Sequence, residues 1–349
     1  MSSRPVAPDA PRVAVLGQGI AGTLVSTRLR ENGVAHVVID RGHRRSSSWA
    51  AAGLVNPVTG RRFVLVEGFG DYLARFGVYE RLGRLLGERY VHDLTIYRDL
   101  GRVKDRNQWD MRRATPSYAT YLGAPVRASE AGLPIGGVDR WVGPTRGAYR
   151  VDLAGLIRDY RRWLADERML IVAEVDETFV RDDRLIAAGR PFDIVVDCRG
   201  AACAHTGEWG DRPWRLSKGE SVRISREAWP RAAATKLSGS FLTPVGNGGE
   251  VWYGGTSTDH YDWDVPTEAM ALRFDRELRE LLGGYPPESL DHRAAIRPTT
   301  TDREPVVGPH ATVPGLYICN GLGTKGALTA PSITARLWSM LAPVLGRGR

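Results

Sequence analysis

The chain has 349 residues, 42% hydrophobic and 25% charged. At roughly 100–200 residues per domain that is enough for two domains with real cores, and it excludes disordered, collagenous and small disulfide-scaffold classes. Lys and Arg outnumber Asp and Glu by 48 to 40, a formal net charge of +8, yet all the bases but Lys104, Lys218, Lys236 and Lys325 are arginines scattered among acids. Without a basic stripe or arm, nucleic acid is not the expected partner. The three cysteines, Cys198, Cys203 and Cys319, point to reduced thiols and a cytoplasmic setting. Neither a signal peptide nor a transmembrane run of about 18 apolar residues is read.

In chain order, residues 12–16 read as a short buried strand. Gly17-Gln18-Gly19-Ile20-Ala21-Gly22 follows at once, then a helical stretch over 23–32, a turn at Gly33 and a second apolar strand over 35–39 ending at Asp40. Gly17 permits the tight turn, Gly19 lets a pyrophosphate approach the backbone, and Gly22 lets the helix pack on the strand. The helix N-terminus offers free N–H groups and positive potential to phosphates. Asp40 stands where a carboxylate accepts hydrogen bonds from a ribose diol, which favours FAD or NAD over NADP. Residues 46–53, Ser-Ser-Ser-Trp-Ala-Ala-Ala-Gly, occupy the place where an NAD-dependent dehydrogenase usually has its next helix. They read either as a loop wrapped closely on a flat ring and its phosphates or as an ordinary flexible loop.

Further along, residues 152–166 read as an amphipathic helix with Leu153, Leu156, Ile157 and Tyr160 on one side. Residues 192–200 are an apolar strand ending in a Gly turn. Residues 240–253 read as two short strands joined by Gly246-Asn247-Gly248-Gly249. Strand 316–320 runs into Gly321-Leu322-Gly323-Thr324-Lys325-Gly326 and a helix to about residue 341, with Pro331 expected in its first turn. Cys198, Cys203 and His205 lack a second ligand pair and read as structural, so no metal is expected. Trp252, Tyr253, His260, Tyr261 and Trp263 read either as a substrate wall or as sheet packing.

Taken in order, the 17–22 turn with Asp40, the 46–53 loop, the 192–200 strand and turn, residues 296–308 and residues 316–326 resemble the D-amino acid oxidase family of FAD-dependent oxidoreductases, which includes glycine oxidase and sarcosine oxidase. The resemblance covers most of the chain. It implies an α/β fold in which an FAD-binding Rossmann-like domain (11–64, 147–215 and 292–349) carries a second, mostly antiparallel β-sheet substrate domain (65–146 and 216–291). FAD would contact Gly17, Gly19, Ile20, Ala21, Gly22, Asp40, Arg41, Ser48, Ala51, Ala52, Gly53, Val175, Gly200, Arg297, Gly321, Gly323, Thr324, Lys325 and Gly326. It would be non-covalent, because relatives with covalent flavin use a cysteine near the arginine block and none lies there.

The resemblance also implies the chemistry: oxidation of the C–N bond of a small amino acid or secondary or N-methyl amine, by hydride transfer to flavin N5, giving an imine. Arg297 matches the arginine that glycine and D-amino acid oxidases use to hold the substrate carboxylate; its other reading is a structural pair with Asp302 or Glu304. Lys325 reads either as a stabiliser of negative charge at the flavin N1–O2 edge or as an exposed loop lysine. Lys218 reads as structural. Phe241 stands where relatives carry a substrate-binding tyrosine, and Tyr253 is the candidate replacement. Trp252 stands where sarcosine-oxidase-like members place a lysine that assists reaction with O2, so the acceptor is either O2 or another carrier, such as a quinone or a carrier protein. Two other functions remain open: a flavoprotein modifying an aminomethyl group on tRNA, and a flavin subunit of a heteromeric dehydrogenase.

Overall fold

Side-chain alternation in the first strand sets the layers of the nucleotide unit. Val13 and Val15 enter one core, while Ala14 and Leu16 enter a second on the opposite face. The strand reads as an unbroken apolar run because both faces of a parallel sheet are covered. The computed structural model describes residues 13–137, 139–176, 179–181, 184–237, 239–246, 249–284 and 288–346. Arg12 of the expected first strand, and Asn247 and Gly248 of the expected turn, lie outside the described residues.

In chain order the elements that build the site begin with β1 (Val13–Leu16), α1 (Ile20–Glu31), β2 (His36–Ile39), β3 (Leu54–Val55), α2 (Gly77–Leu86), β4 (Val91–Asp99), β5 (Trp141–Val151), α3 (Leu153–Asp166) and β6 (Leu170–Ile171). They continue with β7 (Ile194–Asp197), β8 (Ser217–Ser225), β9 (Ala233–Leu237), β10 (Ser240–Val245), β11 (Glu250–Gly254), α4 (Glu268–Leu282), β12 (Ser289–Arg297), β13 (Val306–Pro309), β14 (Leu316–Asn320) and α5 (Gly326–Gly346). One sheet has the order β13-β14-β7-β1-β2-β6, parallel except for the edge strand β13. Helices α1, α2, α3 and α5 cover one of its faces. The second, larger sheet has the order β12-β8-β11-β10-β9-β4-β5-β3 and is antiparallel except where β9 runs beside β4. Helix α4 covers one face of it, through Phe274, Leu278, Leu281 and Leu282. No helix among the described residues is long and apolar enough to cross a membrane.

The amphipathic stretch forms as its spacing predicts. Asp152 caps α3 by accepting from the Gly155 N–H at 3.2 Å, and Leu153, Leu156, Ile157 and Tyr160 are all buried. Helix α5 differs from expectation. It begins at Gly326, so Pro331 falls in its second turn rather than its first. A proline there has no N–H for the carbonyl four residues back, which is that of Ala327. That carbonyl accepts instead from the buried Tyr79 hydroxyl of α2, at 2.8 Å.

Ladders and apolar faces do not follow contiguous sequence blocks. Strand β3, the end of β5 as far as Val151, and the part of β12 from His292 to Arg297 all belong to the large sheet. Helix α2, expected in the substrate unit, packs Val78, Tyr79 and Leu82 into the core of the nucleotide unit. Tyr79→Phe keeps that packing but leaves the buried Ala327 carbonyl unsatisfied. Unfolding in urea should show a loss of about 1–3 kcal/mol.

Candidate functional site

The C-terminal ends of β1, β7 and β14, the segment after β2 and one face of the large sheet enclose a cavity of about 930 Å³. Ligands of open α/β sheets bind at this end of the strands. Gly17 has φ +88°, and a Cβ there would meet the Cys198 carbonyl at 2.7 Å. A Cβ on Gly22 would lie 1.8 Å from the Gly17 carbonyl oxygen, so α1 can approach the turn only with glycine at 22. Gly17, Gly19, Ile20 and Ala21 line the cavity. Gly22 does not; it is a packing position rather than a contact surface. The Ile20 N–H at the start of α1 donates to Ser48 Oγ at 3.1 Å.

Asp40 ends β2 with its carboxylate partly committed. Oδ2 accepts from the Gln18 N–H at 2.8 Å, while Oδ1 accepts from the Gly42 N–H at 2.8 Å and from Arg161. One lone pair of Oδ2 is left for a ribose hydroxyl. Arg41 lines the same end and pairs with Glu174, next to Val175, which also lines the cavity. Residues 46–53 contain a one-turn helix, Ser47–Ala50, capped by Ser46, and then run extended. Three side chains of the large sheet hold this segment: Arg293 donates to the Trp49 carbonyl at 2.8 Å, and Trp252 Nε1 and Ser221 Oγ donate to the Ala50 carbonyl at 3.0 and 3.3 Å. Ser48, Ala51, Ala52 and Gly53 thereby face the cavity, as do Gly200, Gly323, Thr324, Lys325 and Gly326 on the opposite rim. Gly321 does not line it. With φ +74° and a Cβ that would meet the Val306 nitrogen at 3.0 Å, Gly321 shapes the turn after β14.

Two-residue alternation corrects the expectation for Tyr253. On β11, Val251 and Tyr253 point to α4, where the Tyr253 hydroxyl donates to Glu277 at 2.6 Å and burial together with that carboxylate pushes its pKa up. Tyr253 does not reach the cavity; Trp252, with the opposite phase, lines it, as does Phe241 on β10. Of the remaining aromatics, His260 and Trp263 are exposed and Tyr261 half-buried, and none of them lines the cavity. Cys203 is buried and donates through its thiol to Asp197 at 2.9 Å. Among the described residues no group of three His, Cys, Asp or Glu could hold a metal.

Arg297, the last residue of β12, lines the cavity and has no acid partner among the described residues. Its guanidinium lies flat over Gly219, where a Cβ would come within 2.1 Å of Nη2, and its buried Nη1 has no hydrogen-bond partner. Burial with no compensating carboxylate lowers its pKa from the ordinary arginine value. Neither Asp302 nor Glu304 pairs with it: the Asp302 carboxylate accepts from the Glu304 N–H. Lys218 is buried in a pair with Glu220 at 3.1 Å.

Two further cations on the cavity wall were not picked out from the sequence. Gly254, Phe241, Lys236 and Arg98 stand opposite one another in a row across β11, β10, β9 and β4, and the last three line the cavity. The signal available was faint: Lys236 is one of only four lysines and sits mid-strand in Ala-Ala-Thr-Lys-Leu. Its Nζ lies 4.4 Å from the Phe241 ring centre. Burial, then Arg98 and Arg61, bring its pKa down to about 8. Burial alone brings that of Arg98 down to about 10.

A glycine cradle with no room for side chains, a carboxylate at the end of β2 with one lone pair to spare, and a half-buried guanidinium without an acid partner among the described residues fit a dinucleotide carrying a flat redox ring beside an anionic substrate. Residues 12–337 match the family model described as FAD dependent oxidoreductase. The tRNA 5-methylaminomethyl-2-thiouridine biosynthesis bifunctional protein MnmC of Caulobacter sp. (strain K31) is 30% identical over 362 residues, 97% of this chain and 56% of that protein. Thus the chain spans about half the length of these bifunctional relatives. Glycine oxidase of Pseudomonas aeruginosa is 27% identical over 370 residues, 96% of each. Among solved structures, glycine oxidase from Bacillus cereus superposes with a TM-score of 0.79 at 19% identity, over 97% of this chain and 96% of that one. Iminodiacetate oxidase from Chelativorans sp. BNC1 gives 0.76 at 21%, over 95% of each. Both share the fold.

Lys236 yields a prediction whose sign is fixed. Between its folded value of about 8 and its unfolded value of 10.5, the unfolded chain holds a proton that the folded chain does not, so this amine makes stability rise with pH across that window. Below pH 8 its burial as a cation opposes folding. Lys236→Met should therefore raise the thermal midpoint at pH 7 and flatten its rise from pH 8 to 10; a lower midpoint at pH 7 would show that the amine stabilises the fold.

Proposed function

Because the chain belongs to the family of FAD-dependent oxidoreductases, we propose that it oxidises the C–N bond of a small amine or amino acid that carries a carboxylate. FAD is the cofactor, and when bound it supplies the two-electron acceptor that converts a C–N single bond to an imine, which water then hydrolyses. The observation that carries the substrate class is Arg297: half-buried on the cavity wall, with its buried Nη1 unpaired and no acid partner among the described residues.

A fixed guanidinium fork binds a carboxylate through two parallel N–H donors and sets its orientation as well as its position. Gly219 leaves the space in which that fork lies. Trp252 and Phe241 give the adjoining wall an apolar surface that excludes water and narrows the poses of the carbon bearing the amine. Trp252 has its indole N–H committed to the Ala50 carbonyl, so it shapes the wall and transfers no proton; the acceptor that regenerates the cofactor is O2 or another carrier. Lys325 and the Gly323–Lys325 turn offer a cation and backbone amides where negative charge on the reduced cofactor would be held. Gly17, Gly19 and the start of α1 would hold the phosphates, and Asp40 the ribose. The three cysteines are buried, and the cofactor is held without a covalent bond, so unfolding in acid should release it into the supernatant.

One relative class favours a second reading, in which the amine is an aminomethyl group on tRNA. It requires tRNA affinity that falls steeply with salt.

Anaerobic titration with glycine, sarcosine and other small amino acids tests the first reading: at least one should bleach the visible flavin band. Arg297→Ala should then weaken the carboxylate substrate by about 2–5 kcal/mol, and Gly219→Ala should shift it in the same direction by displacing the fork. Unchanged substrate affinity in both variants would return Arg297 to a structural role.

A further inference from the structure

Arg98 and Lys236 are partners across the parallel β4–β9 ladder. Like charges directly opposite one another destabilise a sheet, and here both are drawn into the cavity wall. Arg98 is buried to 6% exposure. Its Nη2 donates to the Gly60 carbonyl at 2.7 Å, but its buried Nη1 has no partner. Lys236 Nζ makes no hydrogen bond or ion pair among the described residues; it rests over the Phe241 ring, as the Arg98 guanidinium rests over the Phe63 ring at 5.3 Å. The charged neighbours that act on Lys236 are Arg98 and Arg61, both of its own sign. Such contacts with ring faces offset part of the cost of a buried and a half-buried cation side by side, but supply no counter-charge.

Arg297 stands at a different part of the cavity wall from this pair. Its head lies over Gly219 of β8, while that of Lys236 lies over Phe241 of β10. Gly219 and Phe241 belong to strands separated by β11, and the Arg297 head also reaches Gly255, just past the end of β11, where a Cβ would lie 3.2 Å from Nη2.

We propose that Arg98 and Lys236 form a second anion subsite, so that the substrate is an amine carrying two carboxylates, one on Arg297 and the other, at the far end of the molecule, between Arg98 Nη1 and Lys236 Nζ. This rests on the amine-oxidation reading for the Arg297 end, and extends it by fixing the length and charge of the substrate. Lys236 and Arg98 are specificity-determining residues that touch the distal carboxylate, away from the reacting carbon.

Unreactive acids separate the two ideas. Calorimetric titration of the FAD-loaded protein with hexanoate and adipate compares one carboxylate with two at matched length, and succinate, glutarate and pimelate vary the distance between the two. At least one dicarboxylate should bind tighter than hexanoate by roughly ten- to a hundred-fold, the worth of a charge-assisted hydrogen-bonded contact. Lys236→Met should bring that dicarboxylate and hexanoate together, and Lys236→Arg should keep most of the difference. If hexanoate binds through Arg297, losing affinity in Arg297→Ala, while no dicarboxylate gains over it, the second subsite is overturned and the amine-oxidation reading stands. If neither kind of acid binds, both fall.

Discussion

Two consecutive carbonyls, those of Trp49 and Ala50, hold the architecture of the site together. Arg293 takes the first, and Trp252 with Ser221 takes the second. These bonds tie the segment that leaves the nucleotide unit after β2 to the face of the large sheet. A peptide carbonyl buried between two layers must be paired, so the donors on the large sheet determine where this segment runs. Because it runs there, Ser48 reaches the first amide of α1 and the small residues 51–53 present backbone instead of bulk. Trp252 thus has two tasks, as wall and as clamp. Removing the indole would leave the Ala50 carbonyl to Ser221 alone.

The parts legible in the sequence were those in which chemistry and spacing lie within one local segment. The glycine turn, Asp40, the α3 stripe and the paired strands at 240–245 and 250–254 need only short-range rules. Arg297 was legible through its motif block, and the structure adds that Gly219, far away in sequence, makes room for it. What escaped depended on phase or on pairing across the chain. Tyr253 and Trp252 are adjacent, and only the registration of β11 against α4 decides which of them faces the cavity. The start of α5 was misplaced because a proline is ordinarily tolerated in a first turn. Tyr79, supplied by a different helix, makes a second-turn position acceptable. Arg98 and Lys236 become neighbours only through a parallel ladder between distant strands, and no local pattern announces that.

Charge distribution carries more information than the net excess. On the surface, arginines meet acids in exposed pairs such as Arg102 with Asp105 and Arg279 with Asp275; such pairs contribute little each. Buried cations elsewhere also have carboxylates, as Lys218 has Glu220, Arg199 has Asp197 and Arg293 has Asp291. The chain therefore satisfies buried cations as a rule, by drawing on nearby acids in its own sequence. Among the described residues buried Arg98 and half-buried Lys236 and Arg297 have no such acid, and all three line one cavity.

Such a local violation costs stability at the place where it occurs. A desolvated guanidinium or ammonium without a counter-charge is disfavoured, and the lowered pKa values of all three groups express that cost. An anion entering the cavity removes the penalty, so the strain left in the folded protein reappears as affinity for a ligand of opposite sign. Apolar residues at 98 and 236 would give a more stable sheet in isolation, since β9 and β4 need only β-compatible side chains to pair. Two neighbouring cations in their place are a departure from the local optimum, of the kind found where function constrains sequence more tightly than folding does.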